Sequence, residues 1–518
     1  MLWKPKQKQQ SGADDINQST EPAKDENGNQ EITTEGMRQK LSDNADIIFE
    51  DITINSNNKL KFTIAYVDGL VKSDTINDFI LKPLIQEDVL SGARTEQELI
   101  DLIVMGTVYH YQRKLRDKLA DCFTELLSGS VLLIFDKSKK AVTFEAKGFE
   151  KRGITEPTGE NVLKGSKEAF IEVLRINTAL VRRRIQSPDL KIQEMKIGRR
   201  SNTAVAVVFL DGVANLQTME KVKQRLSGID IDGITSAGQI ETFLRDNIYT
   251  PFPQLLYTER PDKFCGNILE GRIGIIIDGL PTAYITPVDI NSFLQAPEDY
   301  SLIYFQSSVI RILRHVSAFA SLVLPAFYVA VTTFHHEMIP TKLAISIISS
   351  KQGVPFPTYL EVILMLLAFE VLLEAGLRLP KAVGQAVSIV GAIVIGQAAI
   401  SADMLSPGVV IVISAAGITG FVMPNQDLSN AVRFFRLVLV LLSIFMGLFS
   451  MTLGLIFMLY HLCNMEVFGT PYFSPYVGSD GRGMFADSLI RFPWNKMKNR
   501  PGSISPADTQ RQGAQETE

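Results

Sequence analysis

The residues best placed to do chemistry are four charged side chains inside an apolar run. Tyr359 to Pro380, YLEVILMLLAFEVLLEAGLRLP, has the composition of a membrane span yet carries Glu361, Glu370, Glu374 and Arg378. Glu370, Glu374 and Arg378 are spaced i, i+4, i+8, which places them on one stripe of an α-helix, where Glu374 and Arg378 can neutralise each other. Glu361 precedes Glu370 by a rotation of roughly 900° and so points to the opposite side. It lies near the start of the run, where a side chain can reach the headgroups. A charge at mid-membrane costs on the order of 3 kcal/mol and normally faces a partner or a water-filled space. Glu370 is the deepest and has no evident partner on its own helix. Two readings of it stand: an inter-helix ion pair that fixes packing, or a site on an ion pathway.

The following run, Val383 to Ala402, offers two further faces. Gln385, Ser388, Ala392, Gly396 and Ala399 form a small, weakly polar face, while Val383, Val387, Val390, Val394 and Gln397 form a valine stripe. Small residues let helices approach closely, so tight packing is the plain reading of the first face. In an assembly around an axis, Gln385 and Ser388 or Val390 and Val394 would line a pore, with the valines as a constriction that gates by dewetting.

These residues need a membrane domain to position them. Val316 to Phe334 is free of charge and long enough to cross a bilayer, and Leu437 to His461 reads as a single further span. Gly408 to Met423 is short, bracketed by Pro407 and Pro424, and is either a full crossing or a re-entrant element. Met338 to Ser350 is amphipathic and suits the interface. Five or six membrane segments result. With five crossings, Arg311, Arg314, Arg378, Lys381, Arg433 and Arg436 fall inside with a cytoplasmic N-terminal domain, but the basic tail falls outside, which the positive-inside rule disfavours. Six crossings bring the tail inside, so its side stays open.

The N-terminal half is different in kind. Residues 1–45 are rich in Gln, Asn, Asp, Glu and Lys and cannot bury enough surface to offset chain entropy, so they read as a disordered polar arm. The arm has no apolar h-region and is not a signal peptide. Residues 46–150 and 151–310 read as two copies of one α/β subdomain. TIAYVDGLVKSDTINDFI matches AVVFLDGVANLQTMEKVK, with 143 positions between Asp68 and Asp211, and VLLIFD matches IGIIID, with 142 between Asp136 and Asp278. Asp-Gly after a strand is turn chemistry, so these aspartates are read as structural.

The fold expected is therefore an α/β duplicated soluble N-terminal domain followed by an α-helical polytopic membrane domain over 311–465 and a tail over 466–518. The net charge of -4 excludes little. Cys122, Cys265 and Cys463 match no metal or redox spacing and suit a reducing compartment. No phosphate loop, HExxH or GxSxG element is present, so no enzyme and no cofactor is expected.

Two stretches carry a family resemblance: YTERPDKFCGNILEGRIGIIIDGLP, and PFPTYLEVILMLLAFEVLLEAGLRLPKAVGQAVSIVGAIVIGQAAISADMLSP. Together they resemble the A subunit of the GerA-type nutrient germinant receptors of bacterial spores, over roughly residues 45–500. Leu373 departs from the pattern, which leads one to expect an Arg before Glu-Ala-Gly. The resemblance implies a multi-pass receptor in the spore inner membrane, assembled with a transporter-like B subunit and a lipoprotein C subunit. It implies homo-oligomers, plausibly a ring, that release monovalent cations when a nutrient binds, and no nucleic-acid partner. On that reading Glu370, Glu374 and Arg378 are ion-pathway or gate candidates, with Gln385, Ser388, Val390 and Val394 as pore candidates. The rivals are an A-like ion-release protein without its own nutrient and a proton-coupled secondary transporter, which also uses buried carboxylates and broken helices.

Overall fold

The computed structural model describes residues 31–54, 60–86, 93, 95–107, 112–148, 157, 159–160, 162, 164–378, 396–477 and 487–512. The polar arm lies largely outside them. The chain divides into two compact units: the first holds most of residues 1–148, and the second holds 43–46, 68–70 and everything from 149 onward.

Within the first unit, strands β1 (Ile47–Ile54), β2 (Leu60–Val67), β3 (Arg113–Arg116), β4 (Ser130–Phe135) and β5 (Lys140–Glu145) form one antiparallel sheet ordered β1-β2-β4-β5-β3. The central strand β4, SVLLIF, is buried at every position, which explains its unbroken apolar run: both of its faces are covered. Helices α1 (Thr34–Lys40) and α2 (Leu119–Leu127) belong to the same unit.

The second unit repeats this plan. Strands β6 (Leu190–Ile197), β7 (Thr203–Leu210), β8 (Leu256–Thr258), β9 (Ile273–Ile277) and β10 (Ala283–Thr286) are ordered β6-β7-β9-β10-β8, with α3 (Leu174–Arg184) and α4 (Pro261–Leu269) in the places of α1 and α2. Strand β9, IGIII, is again wholly buried. The duplication extends to helix capping. Asp136 at the end of β4 accepts a hydrogen bond from the backbone N–H of Thr34, the first residue of α1, at 2.6 Å. Asp278 at the end of β9 accepts one from Leu174, the first residue of α3, at 3.0 Å. Each carboxylate fills an orphan donor at a helix start, so their structural reading holds. Asp68 and Asp211 are each followed by a glycine with positive φ, +84° at Gly69 and +75° at Gly212, as tight turns leaving a strand require. Cys122, the fourth residue of α2, and Cys265, the fifth of α4, are both buried, and burial pushes each thiol up to about 12.

Beyond β10 the second unit becomes helical: α5 (Tyr304–Thr333), α6 (Thr341–Ser350), α7 (Thr358–Arg378), α8 (Pro407–Phe421), α9 (Gln426–Met446) and α10 (Leu448–Cys463). Among the described residues, α5 and α9 are long and apolar enough to cross a membrane. Two ends of the bundle can be defined. At the near end, beside the second sheet, Phe252 stacks on Phe435 of α9 with ring centroids 5.0 Å apart, and Thr250 Oγ1 meets His461 Nε2 of α10 at 2.9 Å. At the far end, Gly447 abuts Phe334 and His335, just past α5.

Gly447 corrects one expectation. Leu437 to His461 is not a single span: α9 stops at Met446 and α10 starts at Leu448, with φ +61° and ψ -129° at the glycine between them. The chain doubles back there, so that Gly454 of α10 packs on Leu439 and Leu442 of α9. The expected run is apolar throughout because both arms of this hairpin are apolar. Its turn rests on one residue without a side chain, to which hydropathy is blind. Helix α6 bears exposed Leu343, Ile345 and Ile348, in keeping with an amphipathic segment.

Candidate functional site

Helix α7 carries the charges singled out above, and its neighbours determine what each can do. It runs alongside α8 from the far end: Glu361 meets Ser406 near its start, and the Phe369 ring lies against Gly417 further along. Helix α5 runs opposite to α8, with Tyr328 beside Gly408 and the Ser321 hydroxyl donating to the Ala416 carbonyl at 2.9 Å.

Glu361 does not reach outward to headgroups. It is fully buried, and its Oε2 accepts hydrogen bonds from both the backbone N–H and the hydroxyl of Ser406, each at 2.7 Å. Lys351 Nζ lies 3.3 Å from Oε1. Ser406 precedes the first residue of α8 and offers no side-chain cap of its own. A helix start carries unpaired N–H groups and partial positive charge. That local demand turns Glu361 inward, where position along the helix alone suggested snorkelling.

Glu370 is claimed by a different helix. Arg433 Nη1 lies 2.9 Å from one carboxylate oxygen and Arg436 Nη2 lies 3.3 Å from the other, both from α9. Glu374 and Arg378 form their own i, i+4 pair at 2.6 Å and are exposed. The stripe read from the sequence is thus split: the structure brings Glu374 to Arg378, but joins Glu370 to two arginines 63 and 66 positions away. A cavity of about 250 Å³ opens at this junction, between Leu366, Leu367 and Glu370 on α7 and Asn430, Arg433, Phe434, Arg436 and Leu437 on α9. Gln385, Ser388, Val390 and Val394 lie outside the described residues.

Sequence reasoning counted Arg433 and Arg436 as orientation markers and missed them as partners. Their i, i+3 spacing was the available signal, since it places both guanidinium groups on one face of α9. A second network was missed as well. Asp299 receives Arg311 at 3.0 Å and Arg314 at 2.9 Å, while Asp487 of the tail receives Arg311 at 2.8 Å. Further described residues of the tail also return to the second unit. Arg491 donates to the carbonyls of Asp299 and Leu302, both at 2.6 Å, and the Ala507 N–H donates to Val213 at 2.9 Å. Arg511 pairs with Glu270 at 2.6 Å.

Comparison with known proteins shows which family the chain resembles. The family model described as Bacillus/Clostridium GerA spore germination protein matches residues 35–503. Spore germination protein KA of Bacillus subtilis (strain 168) is 39% identical over 477 residues, covering 92% of this chain and 87% of that protein. The uncharacterized membrane protein YfkQ of the same organism is 38% identical over 467 residues, covering 90% of each. Spore germination protein GerLA of Bacillus cereus is 30% identical over 473 residues, covering 91% of this chain and 95% of that one. Among solved structures, the N-terminal domain of the A subunit of the Bacillus megaterium spore germinant receptor GerK3 is 33% identical, with a TM-score of 0.38, covering 49% of this chain and 92% of that domain. The chain belongs to the GerA spore germination protein family and has a role in germination.

Proposed function

We propose that this chain is the A-type subunit of a nutrient-sensing germinant receptor, and that it oligomerises into a ligand-gated cation conduit in the spore inner membrane. The observation that carries this reading is the junction of Glu370 with Arg433 and Arg436, inside a helical bundle whose outer surface is largely apolar. Charge among apolar helices is costly unless it serves packing or passage. The adjoining cavity leaves Glu370 accessible, its side chain 42% exposed, as an ion route requires and a purely structural pair does not. Glu370 and Glu374 attract the cation, Arg378 sets their charge, and Gln385, Ser388, Val390 and Val394 line or brace the pore. The chain binds and conducts; it is not an enzyme.

The same reading makes the chain a multi-pass protein with six crossings. Helices α5 and α9 run from the near end to the far end, and α7, α8 and α10 run back. The sixth crossing is the span expected from the sequence over Val383 to Ala402. An even count returns the tail to the side of the sheets, in keeping with the contacts of Arg491, Ala507 and Arg511 described above. Arg311, Arg314, Arg433, Arg436 and the basic tail then share the cytoplasmic side with the N-terminal domain, which removes the conflict with the positive-inside rule. A transporter-like B subunit and a lipoprotein C subunit complete the receptor, with the nutrient held mainly by the B subunit.

One second reading is an A-like ion-release protein without its own nutrient. Cation flux from liposomes holding the chain and its partners, under a potassium gradient with no proton gradient, tests both. Nutrient-triggered dissipation supports the receptor, and dissipation without nutrient supports the A-like protein. Flux that demands a proton gradient overturns the conduit in favour of a secondary transporter.

A further inference from the structure

The junction between α7 and α9 is out of electrical balance. Two guanidinium groups face one carboxylate, leaving an excess positive charge at a cavity of about 250 Å³. Arg436 is only 2% exposed, yet of its five N–H groups one alone has a protein acceptor among the described residues, at the long distance of 3.3 Å. Arg433 gives Nη1 to Glu370 and Nη2 to Asn430, while its Nε is buried without a partner. A buried guanidinium donor without an acceptor, as at Arg433 Nε, is costly, and planar forks of this kind match carboxylate and phosphate oxygens. The walls are the other half of the observation: Leu366, Leu367, Phe434 and Leu437 are apolar, and Leu367 and Phe434 are half-exposed at the rim. A cationic floor with apolar walls fits an amphiphile with an anionic head better than a bare hydrated ion.

We infer that this cavity binds a phosphate group, with Arg433 and Arg436 as its ligands and Glu370 as the internal competitor that the phosphate displaces. The apolar rim accommodates an acyl chain, so an anionic phospholipid is the occupant favoured. The lipid assignment rests on the proposed placement of the bundle in a bilayer; the phosphate chemistry does not. Because Glu370 is also the conduit candidate, occupancy by phosphate releases its carboxylate from the arginines and so couples the local lipid to the ion route.

The test uses the full chain in neutral detergent and in nanodiscs. Lipid retention is read by native mass spectrometry, and melting temperature is read with added dioleoylphosphatidylglycerol, with added dioleoylphosphatidylcholine, and with inorganic phosphate alone. The wild-type chain is expected to retain phosphatidylglycerol over phosphatidylcholine and to melt higher with it. Glu370→Gln, which removes the competing charge, is expected to tighten that retention by about tenfold, the effect of one unit charge removed nearby. Arg433→Gln with Arg436→Gln abolishes the preference, whereas Arg436→Lys, which keeps the charge and guards against a folding defect, retains part of it. Stabilisation by inorganic phosphate equal to that by phosphatidylglycerol, and lost in the double variant, supports the same site with a soluble occupant. Equal retention by wild type, Glu370→Gln and the double variant overturns the proposal. Failure of the bilayer placement is seen separately, as a chain that does not float with liposomes.

Discussion

Glu361 and Ser406 are joined by two hydrogen bonds of 2.7 Å to a single carboxylate oxygen, so the start of α7 is tied to the start of α8 at a fully buried point. Such a carboxylate is expected to be structural. Glu361→Ala leaves the Ser406 N–H and hydroxyl without their acceptor and Lys351 without its counter-ion. Removing one partner of a buried pair costs about 3 to 5 kcal/mol. The expected outcome is a large fall in melting temperature and in assembled protein, read by fluorescence-detected size exclusion in detergent. Glu361→Gln, which still offers a carbonyl oxygen, is expected to fall by less than half as much.

Glu370 is expected to behave in the opposite way. It is accessible at the cavity, and Glu370→Gln keeps a hydrogen-bond acceptor for Arg433 while removing the negative charge. Assembled protein is therefore unchanged, but the excess charge at the junction rises from one positive to two, which raises the barrier to cations. Cation efflux from proteoliposomes is expected to slow severalfold, since charge rings set the local ion concentration. Unchanged efflux at equal protein level returns this residue to packing alone.

Gly447 is the sharpest backbone constraint in the helical region. Its φ of +61° with ψ of -129° belongs to glycine, and an added Cβ would sit 2.8 Å from the His335 ring and 2.9 Å from Phe334 Cβ. Gly447→Ala is expected to cost about 1 to 3 kcal/mol from the backbone alone, with the steric clash added to it. A melting temperature within a degree of wild type would show that the hairpin does not depend on this turn.

The part of this architecture that could be read directly from the sequence is the part written in local pattern. The matched Asp-Gly turns and the apolar runs of β4 and β9 repeat at offsets of 143 and 142 positions, and β4 and β9 are each the central strand of their own sheet. The Glu374–Arg378 pair was legible because helical geometry alone brings i and i+4 together. Glu370 was not, because its partners lie on a helix more than sixty residues later and nothing local says which face of α9 meets α7. The inward turn of Glu361 depends on a helix start 45 residues away. The hairpin at Gly447 escaped notice because hydropathy averages over the one residue that decides it.

The thiols provide a pH-dependent check on the two sheet units. Burial raises Cys122 and Cys265 to about 12 from an ordinary value of 9.0. At pH 8 both are protonated and shielded, so an alkylating reagent is expected to modify Cys463, which is exposed, and to reach the other two only after denaturation. The sign of the stability effect follows from the same shift. Above about pH 9 the unfolded chain loses thiol protons that the folded chain keeps, so folding stability is full below that pH and falls between about 9 and 12, by up to about 1.4 kcal/mol per pH unit per thiol. Cys122→Ser is expected to flatten the alkaline limb of melting temperature against pH. An unaltered limb would mean that this thiol ionises freely.

The side of the tail decides the count of crossings. Thr509 and Glu220 are exposed on the unit that holds the second sheet, while Lys342 is exposed on α6, beyond the far end of α5. Single cysteines at these three positions, in a chain with Cys463→Ser, report their side by reaction with a membrane-impermeant maleimide in sealed vesicles of known orientation. Thr509→Cys and Glu220→Cys are expected to react from the same face, because the tail is bound to the second sheet unit through Ala507 and Arg511. Lys342→Cys is expected to react only from the other face. If Thr509→Cys sides with Lys342→Cys, the number of crossings is odd and the tail contacts belong to a different state of the protein. If all three react from one face, the bundle does not cross the bilayer, and the conduit must be abandoned with it.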